Sequence, residues 1–170
     1  MVFSLSIYAQ NTKKIEIINA DSSYASTKLH PDYLRLIGNV IFKHNNTFMY
    51  CDSAHHFLKE QKIIAFGNIK ISQADSLTLV GRKLTFYGKK EKAEISGNVI
   101  LSDKFIILKT EKIFYDFKND LANYPNPGTI YQRDREIKSK KGKYFSKNYK
   151  FIFNDSVLVT SKNYNINTDN

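Results

Sequence analysis

A short motif built around glycine returns at nearly constant intervals along this 170-residue chain. Gly-Asn followed by a β-branched residue begins at Gly38, Gly67 and Gly97, and the next two equivalent positions are Gly128 and Asp155. The intervals are 29, 30, 31 and 27 residues. A regular internal period of this length is typical of a repeat architecture in which each unit is one supersecondary motif. The sequence therefore predicts about five repeats of roughly 30 residues.

A second apolar element lies between successive glycine motifs, for example at 49–54, 77–84 and 106–111. Short polar links separate the elements, at 44–46, 59–61, 89–91, 117–120 and 146–148. Polar, turn-prone residues between apolar runs are typical of hairpin loops, so we expect two antiparallel strands in each repeat. The last element restarts near Tyr164 and stops inside a repeat, which indicates either the N-terminal part of a longer chain or a free edge meant for pairing.

Side chains in the glycine strands alternate between apolar and polar, which is the periodicity of a strand with one buried face. The segment around Gly67 places Ala65, Ile69 and Ile71 on one face and Asn68 and Lys70 on the other. A glycine in mid-strand permits a bend, so glycines in phase on stacked strands predict a crease along the sheet. A creased sheet with one apolar inner face is a groove. An ordinary β-sandwich core without a ligand has the same alternation, and alternation alone favours the sandwich.

The Gly-Asn-Val motif, the intervening Cys51–Ala54 type of element and the thirty-residue spacing together resemble the OstA-like family of lipopolysaccharide-transport proteins, over residues 29–170. This family includes the periplasmic bridge protein LptA, the periplasmic part of LptC and the N-terminal domain of LptD. The resemblance implies an all-β fold, an elongated V-shaped antiparallel β-jellyroll (a β-taco) that stacks end to end with related domains. The missing glycine at Asp155 and the prolines at 125–127 depart from the pattern.

The resemblance also implies that lipid A acyl chains travel through the groove towards the outer membrane, with no catalytic residue and no cofactor. We expect the groove to be lined by thirteen inward-facing residues, with a bulge near Gly81: Val40, Phe42, Ala65, Ile69, Ile71, Leu79, Leu84, Phe86, Ile95, Val99, Leu101, Ile106 and Leu108. Four basic residues are expected near the rim, where they could pair with glycolipid phosphates: Lys43, Lys70, Arg82 and Lys83. The alternative for each of the four is a solvated surface side chain.

The N-terminus suggests export from the cytoplasm. Residues 1–9 are mostly apolar and end at Ala9, which resembles the last part of a signal peptide without its basic region. An unrelated apolar N-terminus is the alternative. Residues 10–170 are then expected to form a single periplasmic domain, with association to the outer membrane as a further possibility. No run approaches the ~18 apolar residues of a spanning helix.

The net charge of +10 leaves other classes of function open, because it attracts phosphates of any kind. A single-strand nucleic-acid binder combines lysines with exposed aromatics, but here most aromatics follow the strand alternation, so no nucleic acid is expected. An outer-membrane barrel would not tolerate the outward-facing Asn, Lys and Glu residues. A structural module that only stacks by its strand edges stays open, alone or together with lipid transport. The expected partners are lipopolysaccharide, related jellyroll domains and a second copy of the chain.

Motifs that carry catalysis or bind metals are weak in this sequence. His55 and His56 follow Cys51 closely, but adjacent strand residues point to opposite faces and zinc needs three or four ligands. Nucleophile elbows, phosphate-binding glycine loops and metalloprotease motifs are lacking. The sequence therefore predicts neither an enzyme nor a metal site.

Overall fold

The computed structural model describes residues 14–26, 30–73, 77–153, 155–161 and 165–168. The expected signal-peptide remnant at 1–9 lies outside these residues. Within the described residues, fifteen antiparallel strands form one open sheet, which confirms the all-β prediction. The strands are β1 Glu16–Asn19, β2 Ser22–Ser26, β3 His30–His44, β4 Thr47–Phe57, β5 Lys62–Gln73, β6 Leu77–Tyr87, β7 Lys92–Asp103, β8 Ile107–Asp116, β9 Leu121–Tyr124, β10 Gly128–Gln132, β11 Arg135–Ser139, β12 Gly142–Phe145, β13 Lys150–Phe153, β14 Val157–Thr160 and β15 Asn165–Thr168.

The sheet has two arms that share six long strands, β3 to β8. At each end of the molecule a long strand pairs with two short ones: β8 pairs with β10 through residues 107–110 and with β9 through residues 114–116. We call arm I the half that contains β1, β10, β11, β14 and β15, and arm II the half that contains β2, β9, β12 and β13. The line where the arms meet is the crease, and the free edge of each arm opposite the crease is its lip.

A bulge in every pair of long strands produces the crease. The register shifts between Ile37 and Val40, and again between Phe66 and Ile69 and between Ser96 and Val99. Each interruption contains a Gly-Asn pair in which both residues have positive φ, for example 72° at Gly67 and 42° at Asn68. Glycine reaches this conformation without steric cost, and asparagine tolerates it better than most residues. The periodic glycines therefore do bend the sheet, as predicted.

An acidic side chain from the adjacent part of the chain occupies the space beside the first two crease glycines. A Cβ atom at Gly67 would collide with the Asp52 carboxylate. The Asn68 amide donates to both oxygens of that carboxylate, at 3.2 and 3.0 Å. Asp21 and Asn39 repeat this hydrogen bond at 2.9 Å beside Gly38. Glycine is thus required at the crease for space as well as for backbone conformation.

The crease becomes less regular in the C-terminal third, as the sequence departures suggested. Strands there stop at the crease instead of crossing it, at 125–127 and at 140–141. Asp155 stands at the glycine position with φ 94°, and its carboxylate accepts a hydrogen bond from the Lys140 ammonium at 3.3 Å. The bend therefore continues without glycine, but none of the described strands runs through it.

The inner faces of the two arms meet and form the core. One inner row of arm I crosses ten strands in register: Ile17, Phe42, Met49, Ile71, Leu79, Leu101, Leu108, Ile130, Ile137 and Val159. The facing row of arm II contains Ile63, Phe86, Ala93, Tyr115, Ala122 and Tyr144. Helical structure in the described residues amounts to a 3₁₀ turn at Gly88–Lys90, and none of it is long and apolar enough to cross a membrane.

Replacing Gly67 by alanine is expected to destabilise the fold by about 2 kcal/mol, because the new Cβ adds left-handed strain and a clash with Asp52. The measurement is urea unfolding of Gly67→Ala, Asp52→Ala and the double variant. Since Asp52→Ala removes the clash, the double variant should lose clearly less stability than the sum of the two single losses. Strictly additive losses would contradict this packing.

Candidate functional site

All thirteen residues that the sequence assigns to the groove lie in the buried core. Their exposed fractions are 2% or less, from 0% for Val40, Phe42 and Val99 to 2% for Ile106. The bulge at the crease places the two halves of each long strand in different arms. Ala65 therefore faces the interior from arm II, and Ile69 of the same strand faces it from arm I. The structure thus brings the thirteen together along one continuous interior. Their contact with a lipid stays a prediction.

Side chains from both arms fill the interior between the long strands. The ring centroid of Phe42 in arm I lies 5.6 Å from that of His56 in arm II, edge to face. His44 in arm I contacts Phe86 in arm II in the same way, at 5.2 Å. At these two places the rings themselves occupy the space between the closed arms. A ligand can therefore enter this part of the interior only if the arms separate.

A row of polar contacts closes the lips, and sequence reasoning missed it. The Ile15 amide donates to the Gln61 side-chain oxygen at 3.1 Å. One repeat later, the Asn45 amide group donates to Glu91 at 3.5 Å. In the next repeat the amide group of Gln73 donates to Asp120, again at 3.5 Å. Successive donors are 30 and 28 residues apart and successive acceptors 30 and 29, so the lip contacts recur with the period of the chain.

The lip contacts continue towards the C-terminus with different chemistry. The Tyr144 hydroxyl of arm II donates to the Asp103 carboxylate of arm I. Burial and this hydrogen bond raise the pKa of Tyr144 above its usual value, so the hydroxyl stays a donor. The rings of Phe105 and Tyr149 meet beyond it, with centroids 4.0 Å apart. Five contacts therefore join the two lips over the described chain.

On the arm II side, the interior becomes more polar from the crease towards the lips. The crease-side row of arm II is entirely apolar: Leu36, Ala54, Ala65, Leu84, Ile95 and Ile113. Polar side chains on the lip side include His44, Thr47 and Asp103 in arm I and His56 in arm II, whereas Thr110 and Ser139 are buried on the crease side of arm I near the C-terminal end. A chain-bearing amphiphile has the same polarity along its length, with its chains at one end and its head at the other.

The interior opens at the C-terminal end of the sheet. Phe151 and Phe153 in arm II, and Val157 and Val159 in arm I, pack against the core but are only partly buried. Ile166, which pairs with Val159 on the last strand, is 48% exposed. An apolar inner surface is thus accessible here without any movement of the arms.

The four predicted headgroup residues lie on the outer surface of the sheet or at the crease. Lys43 and Lys70 are on the outer face of arm I, and Lys83 is on the outer face of arm II. The ammonium groups of Lys43 and Lys83 lie 5.7 and 6.0 Å from the Phe48 and Phe66 ring centroids. Arg82 lies at the crease against Gly97. The structure does not bring these four to the interior, and their role in headgroup binding stays a prediction.

The residues weighed as metal ligands are separated by the fold. Within the described ranges, no three His, Cys, Asp or Glu side chains are grouped as a metal site. His55 stacks on Tyr33 on the outer face, whereas His56 points inward, as the alternation predicted. Burial and the Asp52 charge raise the pKa of the Cys51 thiol to about 12, so it stays protonated.

His56 is an unusual member of the interior. It is 1% exposed, and neither ring nitrogen has a hydrogen-bond partner among the described residues. Burial lowers its pKa below the ordinary 6.5, so the ring is neutral at pH 7. A buried polar group without a partner costs roughly 1–3 kcal/mol. The interior at this place is therefore less stable than a fully apolar one.

Comparison with known proteins gives one family and one fold. The model of the family described as OstA-like protein matches residues 12–169. A crystal structure of LptH from Pseudomonas aeruginosa, described as the LptA homologous periplasmic component of a lipopolysaccharide transport device, has 13% sequence identity and a TM-score of 0.53. The match covers 83% of this chain and 82% of that one, and at this identity the likeness concerns the fold. No curated protein matches the sequence significantly.

Stability should fall on mild acidification because of His56. The folded pKa lies below the unfolded value, so the unfolded state takes up the proton first as the pH drops through 6.5. The free energy of unfolding is therefore independent of His56 protonation above that pH. It decreases as the pH falls from the unfolded pKa to the folded pKa. His56→Phe should therefore lose less stability than the wild type between about pH 7.5 and pH 5.5, measured by urea unfolding. The other histidines are unchanged in both proteins, and equal losses would contradict the assignment.

Proposed function

The chain belongs to the OstA-like family, and from this premise we propose that it is a periplasmic component of lipopolysaccharide transport that holds acyl chains between its two arms. The observation that carries the proposal is the unbroken inner row from Ile17 to Val159, which crosses ten strands and ends at an apolar opening. No catalytic step is proposed, because a carrier of this kind needs only burial. Burying apolar surface stabilises by about 25 cal/mol per Å².

The gradient of polarity sets the orientation of the bound lipid. Acyl chains lie towards the crease, against residues such as Ala65 and Ile95, and the head lies at the lips. In the closed state, the same apolar residues contact one another. Loading therefore exchanges contacts between the arms for contacts with acyl chains, and it breaks the lip contacts. An apolar interior discriminates weakly between chains, which suits transport.

End-to-end assembly follows from the two ends of the sheet. The last strand, Asn165–Thr168, pairs with β14 only, so its outer edge is available to a further strand within the described chain. Unpaired edges recruit strands from other chains. A related jellyroll domain added at this edge would extend both the sheet and the inner row beyond Val159. Membrane-to-membrane transport is proposed to proceed through such a stack.

A module that only stacks is the second candidate function. The filled interior between Phe42 and Tyr144 favours it, because a closed core needs no ligand. The partly exposed Phe151, Phe153 and Val159 favour lipid binding, since a pure adaptor gains nothing from an apolar opening. The two functions differ in one observable, the entry of lipid.

Photocrosslinking from the opening separates the two functions. A benzophenone amino acid at Phe153, which points inward, should crosslink to added lipopolysaccharide, and the same probe at Ile152 should not. The two positions are adjacent on one strand and point to opposite faces. Ile152 is the more exposed of the two, so a lower yield there cannot result from poorer access to solvent. The expected yield at position 153 is about tenfold higher. Equal yields, or none from a folded protein, would leave only the stacking function.

Locking the lips should block loading of the interior. Asn45→Cys with Glu91→Cys places two thiols where arm I meets arm II, and a short bis-maleimide would join them. Native Cys51 is buried and its thiol is protonated, so it does not compete. We expect the lock to abolish crosslinking of lipopolysaccharide to a photoprobe at Met49, deep in the closed interior.

The matched control joins two turns of the same arm. Asn119→Cys with Asn148→Cys uses neighbouring arm II turns, which are joined where the Ser146 amide donates to the Asp120 carbonyl oxygen at 2.9 Å. This link does not cross the lips, so loading should persist. Undiminished loading with the lips locked would mean that lipid enters by the C-terminal opening alone.

A further inference from the structure

The lip of arm II carries one lysine at the same position of each turn that the structure describes. These four turns, at 58–61, 88–91, 117–120 and 146–149, contain Lys59, Lys89, Lys118 and Lys147. The intervals are 30, 29 and 29 residues, which match the crease glycines. Alternate strands of a sheet are about 9.6 Å apart, so these lysines form a row with about that spacing. We call this row the lip ladder.

The charges of the lip ladder are available to a ligand. All four side chains are exposed, and among the described residues none of them forms an ion pair. With Lys90, the four turns hold five lysines against three carboxylates. These carboxylates have other partners: Glu60 pairs with Lys62, Glu91 accepts from Asn45, and Asp120 accepts from Gln73. The turns therefore present a net positive edge.

Among the described residues, the opposite lip lacks this arrangement. The first described turn of arm I consists of Asn45 and Asn46, and in the turn at 133–134 an arginine precedes an aspartate. Lys104, in the arm I turn between them, directly follows the carboxylate of Asp103. The net positive charge is thus concentrated on the arm II side of the opening. A ligand that enters between the arms would pass the lip ladder first.

We propose that the lip ladder binds the phosphate groups of the amphiphile whose chains lie in the interior. This inference rests on the proposed function and adds to it the chemical class of the head. Lysine ammonium groups bind phosphate as mobile point charges, without the fixed geometry of arginine. A row with equal spacing offers the same site once per repeat, so a phosphorylated head can move from one lysine to the next as its chains advance along the inner row.

The position of the ladder distinguishes it from the basic residues of the strands. Lys43, Lys70, Lys83 and Lys109 lie on the outer faces, so a head bound there would have its chains outside the interior. The ladder lies where the polar side of the interior ends. A phosphate at the lip and chains towards the crease can therefore belong to one molecule.

The test compares two variants with the same change of charge. One replaces Lys59, Lys89, Lys118 and Lys147 by glutamine, and the control replaces four other lysines of the outer faces by glutamine: Lys109, Lys112, Lys138 and Lys143. The probes are purified lipopolysaccharide and the same material after phosphatase treatment, titrated at constant ionic strength. We expect the ladder variant to bind the phosphorylated probe about tenfold more weakly and the treated probe unchanged. The control variant should bind both probes like the wild type.

Each other outcome overturns a defined statement. Equal weakening in both variants would mean that net charge alone attracts the lipid, and an unchanged ladder variant would exclude the ladder. Displacement of the phosphorylated probe by an equal concentration of inorganic phosphate would mean that the site takes free phosphate. If the folded wild type bound neither probe, the proposed function would fail, and the ladder with it.

Discussion

The crease is the constraint on which the rest of the structure depends. At Gly67 the backbone takes a conformation that side chains disfavour, while the carboxylate of Asp52 fills the space that a Cβ would need. The bulge turns the second half of each long strand so that its apolar face meets the apolar face of the first half. A flat sheet with this alternation would leave one apolar face exposed to water. The bend converts that surface into an interior, and its repetition makes the interior long.

The forces that hold the arms together differ in strength between crease and lip. Across the interior, large buried rings such as Phe42 and Phe86 gain both burial and ring contact. At the lips, single hydrogen bonds of 3.1 to 3.5 Å contribute about 1 kcal/mol each. The lip contacts therefore fix how the two arms are aligned with each other, and they contribute little of the free energy that holds the arms together. An occupant that replaced the apolar contacts would separate the arms at modest cost, because the strand pairing within each arm and the hydrogen bonds at the crease would stay intact.

The sequence predicts most of this fold, because its strongest signals are local. The glycine period locates the crease, and alternation alone is enough to place residues such as Val99 and Leu101 inward. The lip contacts are not local, since Asn45 meets Glu91 only through the stagger of two arms, and no alternation encodes that stagger. Strand lysines such as Lys70 are predicted as headgroup residues because they lie beside the glycine motifs, whereas turn lysines resemble ordinary hairpin residues. The signal that could have identified them is their interval, which equals that of the glycines.

Each repeat adds the same set of parts: one bend, inner residues on both arms, one lip contact and one lip lysine. Such a structure has no natural length, because every repeat leaves an apolar surface for the next one to cover. In this chain the repeats become less regular where Asp155 replaces glycine and the strands stop at the crease. The apolar surface left there includes Phe151, Val159 and Ile166, and no further described repeat covers it. A second domain with the same bend would cover it and lengthen the interior at the same time, so under the proposed function assembly and transport would have a single physical cause.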